Sequence, residues 1–211
     1  ESVNNFHPDQ IIRLLAPGGK AIVKGADLEN IWLNETSLSW QIDYKELENY
    51  LVITKKEIEN QGDWTHQYAR ADNSAFGGES LWGSTSTEEF DIQWMGRPGP
   101  RFQTDRSGRK PSPLAISGKL FIQGKERVLA QDVHNGAIYW SKHFPGFIRM
   151  NIHRDCSNWA ADESHLYIGI KQNILKVNQE NGDIEEIFLV DKDESYESAY
   201  VSVIGEYIVG S

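Results

Sequence analysis

Short alternations of apolar and polar residues dominate the second half of the chain. Leu120–Ile122 and Val128–Leu129 are apolar runs separated by a polar turn, and Ala137–Trp140 follows Asn135-Gly136. Short runs rich in β-branched and aromatic residues, bounded by turn residues, predict β-strands. Asn-Gly is the strongest short hairpin signal, because a type I′ turn needs positive φ at both central residues. The pattern therefore predicts a unit of strand, turn, strand, Asn-Gly turn and strand.

This unit is repeated. Ser117–Trp140 aligns without a gap with the segment that begins at Glu163, so that Asn135-Gly136 falls on Asn181-Gly182, 46 residues later. A third copy begins at Ile204–Ser211, where Tyr207 stands 41 residues after Leu166. Repeats of about 40–50 residues with four strands each indicate a β-propeller, which usually closes with 4–8 blades. We therefore expect a mainly β fold, with residues 61–211 forming an incomplete propeller of about three four-stranded blades.

The first 60 residues have a different pattern. Pro8–Leu15 has apolar residues at helical spacing, Ala16–Gly19 ends the helix, and Lys20–Lys24 is a buried type of strand. The pattern also predicts a helix at Asp27–Leu33 and strands at Leu38–Ile42 and Leu51–Thr54. We expect residues 1–60 to form a small α/β segment.

The repeat also matches a known family motif. The run LFIQGKERVLAQDVHNGAIYW contains Ala130, Asp132, Gly136 and Trp140 in the order A-x-D-x-x-x-G-x-x-x-W. It resembles the pyrroloquinoline-quinone-like (PQQ-like) propeller repeat. The second copy has Glu186 where the Trp would stand, which implies weaker packing of its blade on the next one.

Two further segments extend this resemblance over roughly residues 61–211. Asp63–Gly77 and Arg154–Asn158 resemble parts of such propellers in large bacterial proteins of planctomycete type. The resemblance implies the fold and leaves the function open, because these propellers include dehydrogenases, assembly scaffolds and unassigned proteins. It favours a periplasmic or other extracytoplasmic location, and a cytoplasmic one stays open.

The N-terminal segment resembles a second family. The order helix, Pro17-Gly18-Gly19 and strand is similar to the last third of a class I methyltransferase fold. In that family the glycine-rich motif that binds S-adenosylmethionine lies far upstream, and this chain has none. The resemblance implies the tail of a domain without its active half, while the plain alternative is a small α/β cap.

Composition excludes several kinds of partner. The formal net charge is -10, which argues against nucleic acid and against anionic membrane surfaces. No apolar run approaches the ~20 residues of a membrane-spanning helix. The single cysteine, Cys156, cannot form an intramolecular disulfide or a Cys-rich zinc site. Since the chain starts with Glu1, we expect a processed chain or a fragment of a larger protein.

Six residues are candidate ligand-binding residues. His66 is either a ligand or polar anchor in the propeller channel, or a hydrogen-bonded structural histidine in a strand. Arg97, in a turn-rich stretch, either grips an anion with its planar guanidinium or is an ordinary loop residue. The others form a polar cluster before the second blade, which is either a clamp between blades or part of a pocket: His153, Arg154, Asp155 and Asn158. We predict no metal site, since Asp191–Glu194 lacks the spacing of an EF-hand loop.

Three functions are compatible with these residues. The first is a propeller scaffold or ligand-binding module without catalysis, whose partners are other blades or a protein. The second is a segment of a quinoprotein dehydrogenase; that family holds its quinone between a Trp and a disulfide of adjacent cysteines, with calcium nearby, so PQQ would need additional blades. The third is a methyltransferase-linked protein. We also expect self-association through the terminal blade near Val201–Ser211, because an exposed strand edge pairs readily.

Overall fold

The structure is a computed structural model that describes residues 7–24, 34, 36–59, 61–80, 85–90, 92–96, 112–148, 156–190, 192, 195 and 197–211. The chain divides into two compact units. Residues 1–59, 86–95 and 134–136 belong to the first, and residues 60–85, 96–133 and 137–211 to the second. The domain limits 1–60 and 61–211 stay a prediction.

The first unit joins one short helix to a three-stranded antiparallel sheet. Helix α1 (Pro8–Leu14) is followed by β1 (Lys20–Lys24), β2 (Ile42–Leu47) and β3 (Tyr50–Lys55), with the strand order β1-β3-β2. The buried apolar side chains of this unit form one cluster: Ile12, Val23, Ile42, Leu51 and Ile53. The expected helix at Pro8–Leu15 and the strands at Lys20–Lys24 and Leu51–Thr54 are confirmed to within two residues.

The strand expected at Leu38–Ile42 is wrong. Ser39–Gln41 forms a 3₁₀ turn, and β2 starts only at Ile42. The cause is tertiary: the Asp9 carboxylate of α1 accepts hydrogen bonds from the Thr36 hydroxyl and from both the backbone N–H and the hydroxyl of Ser37. These bonds fix the chain in a turn before Leu38. The helix expected at Asp27–Leu33 lies outside the described residues.

The second unit contains two four-stranded antiparallel sheets and a two-stranded one. The first blade consists of β4 (Leu114–Ile116), β5 (Lys119–Gly124), β6 (Arg127–Asp132) and β7 (Ile138–His143). The second blade consists of β8 (Trp159–Ala161), β9 (His165–Ile170), β10 (Asn173–Asn178) and β11 (Ile184–Leu189). The third sheet pairs β12 (Val201–Ile204) with β13 (Tyr207–Gly210). The fold is therefore mainly β, a partial propeller with a small N-terminal α/β segment.

Trp140 joins the first blade to the second. Its indole N–H donates to the Gln179 carbonyl oxygen at 2.8 Å, and its ring lies against Gly182 of the second Asn-Gly turn. The main core continues between the two blades, with Phe121 and Leu175 in the same buried cluster. The Trp of the repeat motif thus acts as a packing residue between blades.

A further copy of this contact is present upstream, and we did not predict it from the sequence. In the first unit the ring of Trp94 lies against Gly136, as Trp140 lies against Gly182 in the second unit. Each Trp and each Gly stands 46 residues from its counterpart. The signal in the sequence was Ile92-x-Trp94, which repeats as Ile138-x-Trp140. The repeat therefore begins before residue 117.

The register of the third sheet differs from the sequence alignment. Ala161 pairs with Leu166 in the second blade, and Val203 pairs with Ile208 in the third sheet. Ile208, and not Tyr207, is therefore the counterpart of Leu166, at an offset of 42 residues. A shift of one residue exchanges the two faces of a strand. In the observed register Ile208 packs against the cluster that contains Val201 and Val203, whereas Tyr207 is exposed.

One cross-strand pair has opposite hydrogen-bond polarity in the two blades. In the first blade the Tyr139 hydroxyl donates to the Asp132 carboxylate at 2.6 Å. At the corresponding positions of the second blade, the Asn178 amide donates to the Glu185 carboxylate at 2.8 Å. Burial and the Asp132 carboxylate raise the pKa of Tyr139 to about 12. Donor and acceptor have exchanged strands, so neither partner can be changed alone without loss of the bond.

Gly182→Ala should destabilise the chain. Gly182 has φ +73°, and a Cβ there would lie 2.9 Å from Cε3 of Trp140. A left-handed non-glycine residue costs about 1–2 kcal/mol, and displacement of a packed ring adds about 1–3 kcal/mol. The control is Gly205→Ala, which has φ +58° but no heavy atom near its Cβ. Urea unfolding should show a larger loss for Gly182→Ala; equal losses would contradict the role of Trp140.

Asn178→Asp should destabilise the second blade, because it removes the amide donor and places a second carboxylate against Glu185. Glu185→Tyr in the same chain should recover the cross-strand bond, since the pair then has the chemistry of Asp132 and Tyr139; it also removes the contact of Glu185 with His165 at 2.9 Å, an effect that the single variant Glu185→Tyr measures. We expect a coupling energy of about 1–2 kcal/mol in a double-mutant cycle measured by urea unfolding. Additive effects of the two substitutions would show that the two positions do not interact.

Candidate functional site

The segment Trp64–His66 contacts the first strand of each sheet of the second unit. Trp64 exchanges two backbone hydrogen bonds with Ala115 of β4, at 2.6 and 2.8 Å. The Thr65 carbonyl oxygen accepts from the N–H of Ala161 in β8 at 2.9 Å. Nε2 of His66 accepts from the N–H of Val203 in β12 at 3.0 Å. We call these three residues the crossing segment.

The three donors occupy equivalent positions of the repeat. Ala115, Ala161 and Val203 each pair with the residue five positions further along the chain, in the second strand of their sheet. In antiparallel pairs alternate residues direct their N–H groups away from the partner strand. The first strand of each sheet therefore presents one N–H at the same place, and three consecutive residues of the crossing segment accept these three bonds. This arrangement joins the sheets along one line, as the inner strands of successive propeller blades require.

His66 is held through both ring nitrogens. Its side chain is buried, Nε2 accepts from Val203, and Nδ1 lies 2.7 Å from the Thr65 hydroxyl. Because Nε2 accepts, the ring proton is on Nδ1 and is donated to Thr65, whose hydroxyl donates to the Ala69 carbonyl oxygen at 3.2 Å. Burial lowers the pKa of His66, although the Asp72 carboxylate acts in the opposite direction. The imidazole is therefore neutral near pH 7.

A cavity of about 780 Å³ opens beside the crossing segment. Its walls come from the crossing segment itself, from the ends of β4, β8 and β12, and from the turn between β8 and β9. Its polar lining residues carry both signs of charge: Asp63, Arg70, Asp162, Glu163, His165 and Lys176. We call this the crossing cavity. It is an open surface formed by all three sheets, and its lining is about equally polar and apolar.

Asp162 organises one wall of the crossing cavity. Its carboxylate accepts from the backbone N–H groups of Ser164 and His165, at 2.8 and 2.7 Å, and from the Tyr167 hydroxyl at 2.7 Å. Burial alone would raise the pKa of Asp162, but these hydrogen bonds hold it below its ordinary value. Burial and the nearby Asp162 carboxylate raise the pKa of Tyr167. Asp162 is thus ionised and fully used in closing the turn.

The cations of the cavity have different surroundings. The Arg70 guanidinium donates to the Gly77 carbonyl oxygen at 2.6 Å and so also supports a loop. Lys176 lies in the middle of β10, opposite Glu186 of β11. At the corresponding place in the first blade, Ala130 lies opposite Trp140. The second blade has therefore replaced a packed apolar pair by a charged one, and Lys176 lines the cavity.

The structure places two of the six predicted site residues. His66 lines the crossing cavity, while Asn158 is absent from its lining. The buried Asn158 amide instead donates to the carbonyl oxygens of Ile148 and Gly169, at 3.1 and 3.3 Å, and so ties a linker to β9. The other four lie outside the described residues: Arg97, His153, Arg154 and Asp155.

Sequence reasoning missed most of the cavity lining. Asp162, Tyr167 and Lys176 had ordinary strand and turn interpretations, and their convergence depends on contacts between sheets. Within the described ranges, no three His, Cys, Asp or Glu side chains form a group that could hold a metal ion. In the same part of the chain, no helix is long and apolar enough to span a membrane.

Comparisons with known proteins do not assign this chain to a family. No family model matches the chain, and no curated protein matches it. Among solved structures, BamB from Moraxella catarrhalis is similar at 14% sequence identity and a TM-score of 0.37, over 47% of this chain. The matched region spans 33% of that protein, about one third of its length. The fold assignment therefore rests on the sheets described above.

Protonation of His66 should weaken folding. Its pKa is lowered in the folded state from about 6.5 in the unfolded chain. As pH falls below about 6.5, the unfolded state binds more protons than the folded state, so stability falls, by up to about 1.4 kcal/mol per pH unit. Above that pH the contribution of His66 is constant. Urea unfolding at several pH values measures this slope.

Two variants test whether His66 causes this pH dependence of the free energy of unfolding. His66→Gln should reduce the pH dependence of stability below about pH 6.5, because it removes the titrating group. His143→Gln, at a half-exposed position of the first blade, should leave most of the slope. If the pH dependence of stability is the same in both variants as in the natural chain, protonation of His66 is not its cause.

Proposed function

We propose that this chain is a non-catalytic β-propeller module that binds a polypeptide partner at the crossing cavity. The observation that carries the proposal is the state of the cavity's titratable groups. His66 uses both ring nitrogens, and Asp162 uses both carboxylate oxygens, in hydrogen bonds within the fold. General acid–base catalysis needs a group that can exchange its proton with a substrate. Neither group can do so without breaking contacts that hold the sheets.

The remaining cavity surface suits recognition. Lys176 and Glu163 offer opposite charges at the cavity wall, and the surrounding turns present backbone groups. An open surface of mixed polarity that carries both signs of charge fits an extended segment of another protein better than a small apolar ligand, for which pockets are enclosed and mostly apolar. The net charge of -10 favours a basic segment.

The PQQ-like and planctomycete-type resemblance is part of this proposal, as is the extracytoplasmic location that it favours. Packing of Trp140 on Gly182 supports it, because these are motif residues. The quinone chemistry of that family does not fit this chain. Its stacking disulfide requires two adjacent cysteines, and Cys156 is the sole cysteine. We derive no redox step for this chain.

A methyltransferase-linked origin of the first unit is a second candidate. It is favoured by α1, the turn at Pro17–Gly19 and β1, which follow one another as that resemblance requires. Gly18 has φ +72°, and its N–H donates to the Lys55 carbonyl oxygen at 2.8 Å. The candidate concerns ancestry and not activity. Measurable heat on titration with S-adenosylmethionine would show that the chain retains a binding site.

Selection of linear peptides from a random display library tests the main proposal. Selected peptides should be rich in basic residues. Lys176→Glu should raise their affinity about tenfold, equivalent to about 1.4 kcal/mol, because it replaces a positive charge of the cavity by a negative one. Lys45→Glu makes the same charge change on β2, at an exposed position of the first unit, and should have no such effect. Equal effects of the two variants would contradict binding at the cavity.

Titration with PQQ tests the non-catalytic part of the proposal. Addition of PQQ with calcium should leave the melting temperature of the chain unchanged. A saturable rise would mean that the chain binds the cofactor without the disulfide, and the non-catalytic proposal would fail.

A further inference from the structure

The three bonds of the crossing segment differ in their acceptors. The donors on β4 and β8 reach backbone carbonyl oxygens, those of Trp64 and Thr65, at 2.8 and 2.9 Å. Val203 on β12 instead donates to a side chain, Nε2 of His66, at 3.0 Å. A carbonyl oxygen accepts at any ordinary pH, whereas an imidazole nitrogen accepts only while it carries no proton. Of these three bonds, the one to β12 is therefore the one that depends on pH.

The other ring nitrogen leaves His66 no second way to arrange its protons. Nδ1 lies 2.7 Å from the Thr65 hydroxyl, which itself donates to the Ala69 carbonyl oxygen at 3.2 Å. Nδ1 therefore carries the ring proton, and an added proton binds at Nε2. A protonated Nε2 is a donor that faces the N–H of Val203, so the hydrogen bond is lost. Protonation of His66 and its bond to Val203 exclude each other.

Charged groups around His66 modulate its titration. Burial lowers the pKa of His66, and the Asp72 carboxylate raises it. The pKa of Tyr167 is raised, so its hydroxyl stays protonated. Near the crossing segment, on β9 with the turn before it, and on β10, charged and titratable residues line the same cavity: Asp63, Arg70, Asp162, Glu163, His165 and Lys176. Carboxylates outnumber Arg and Lys in this set, so the surroundings favour an imidazolium once burial is relieved.

The end of β12 that His66 holds is a wall of the crossing cavity. Val203 lines the cavity together with Ile204 and Gly205, which follow it. The other end of the strand has its own attachment, since the N–H of Val201 donates to the Ser157 carbonyl oxygen at 2.8 Å. Loss of the His66 bond therefore loosens the part of β12 that borders the cavity, while the opposite end stays attached. It also leaves a positive charge at the cavity wall.

We propose that pH controls the crossing cavity through His66: protonation loosens the Val203 end of β12, opens that wall and weakens binding of a basic partner segment. The loosened form binds a proton with the ordinary affinity of histidine, so it is favoured by up to about tenfold per pH unit below about pH 6.5. The statement about binding rests on the proposed function, whereas the loosening of β12 does not.

Nitrogen NMR of the isotope-labelled full chain, recorded from about pH 8 to about pH 5, tests the loosening directly. At neutral pH a nitrogen–nitrogen coupling across the hydrogen bond should connect the Val203 amide to Nε2 of His66. On acidification Nε2 should become protonated, the coupling should vanish, and hydrogen exchange of the Val203 amide should accelerate. The amides of Ala115 and Ala161 donate to carbonyl oxygens and should stay protected. If Nε2 stays unprotonated until these two amides also lose protection, the proposal is overturned.

Two variants show whether His66 is the group responsible. In His66→Gln the side chain still offers an oxygen to Val203 but does not titrate, so protection of the Val203 amide should no longer depend on pH. His143→Gln, at a half-exposed position of the first blade, should behave as the natural chain does. The same pH dependence in all three chains would contradict the role of His66. The measurement on the natural chain decides the proposal even if His66→Gln does not fold.

Fluorescence anisotropy of a basic peptide from the display selection tests the link to binding. Its affinity for the natural chain should fall about fivefold between about pH 7.5 and about pH 5.5, and His66→Gln should remove most of this fall. Equal affinity at both pH values, with the Val203 amide released, overturns the control of binding and leaves the proposed function intact. If no selected peptide binds at either pH, the proposed function and its control fail together, and the NMR result still decides whether β12 loosens.

Discussion

Three backbone N–H groups, one from the first strand of each sheet, must find acceptors at the centre of the second unit. Ala115, Ala161 and Val203 present them, and the crossing segment accepts all three. A buried N–H without an acceptor costs about 1–3 kcal/mol, so this segment removes a penalty that each sheet would otherwise carry. It also fixes the sheets relative to one another, because its three acceptors are consecutive in sequence.

This constraint determines the chemistry available nearby. His66 can accept from Val203 only while it is neutral, and burial keeps its pKa low. The turn at Asp162 is closed by hydrogen bonds that use its whole carboxylate. His66 and Asp162 thus take part in hydrogen bonds within the fold. The proposed binding function uses the surface of the crossing cavity around these two residues.

Contacts between neighbouring repeats are equivalent but not identical. Trp140 reaches across to Gln179 and Gly182, whereas Glu186 at the next Trp position faces Lys176 across the sheet. Loss of the aromatic ring removes the contact that would hold a following blade from outside. The outer half of the second blade consequently combines a charged cross-strand pair with an apolar cleft, whereas the first blade has Ala130 opposite Trp140 at the same place.

The sequence by itself determined the second and third strands of each blade and the period of the repeat, because alternation and Asn-Gly turns are local signals that act within a few residues. It did not indicate the first strands β4 and β8. The expected type I′ turn is wrong, because Gly136 and Gly182 have positive φ whereas Asn135 and Asn181 do not. The sequence also indicated the roles of Gly182 and Trp140, since the motif specifies both. Tertiary structure decided the features that depend on contacts between residues distant in sequence. Hydrogen bonds to Asp9 hold the chain in a turn just before residues 38–42, where a strand was expected. Packing of Ile208 on the buried cluster goes with a third-sheet register one residue away from the alignment.

The candidate site shows the same division between local sequence signals and contacts between distant residues. His66 could be singled out from its sequence, but its partner Val203 lies 137 residues away, and no local pattern connects them. Asp162, Tyr167 and Lys176 looked like ordinary turn and strand residues until packing of the sheets brought them to one cavity. Local sequence specifies each blade, whereas hydrogen bonds and packing between blades specify the surfaces that can bind a partner.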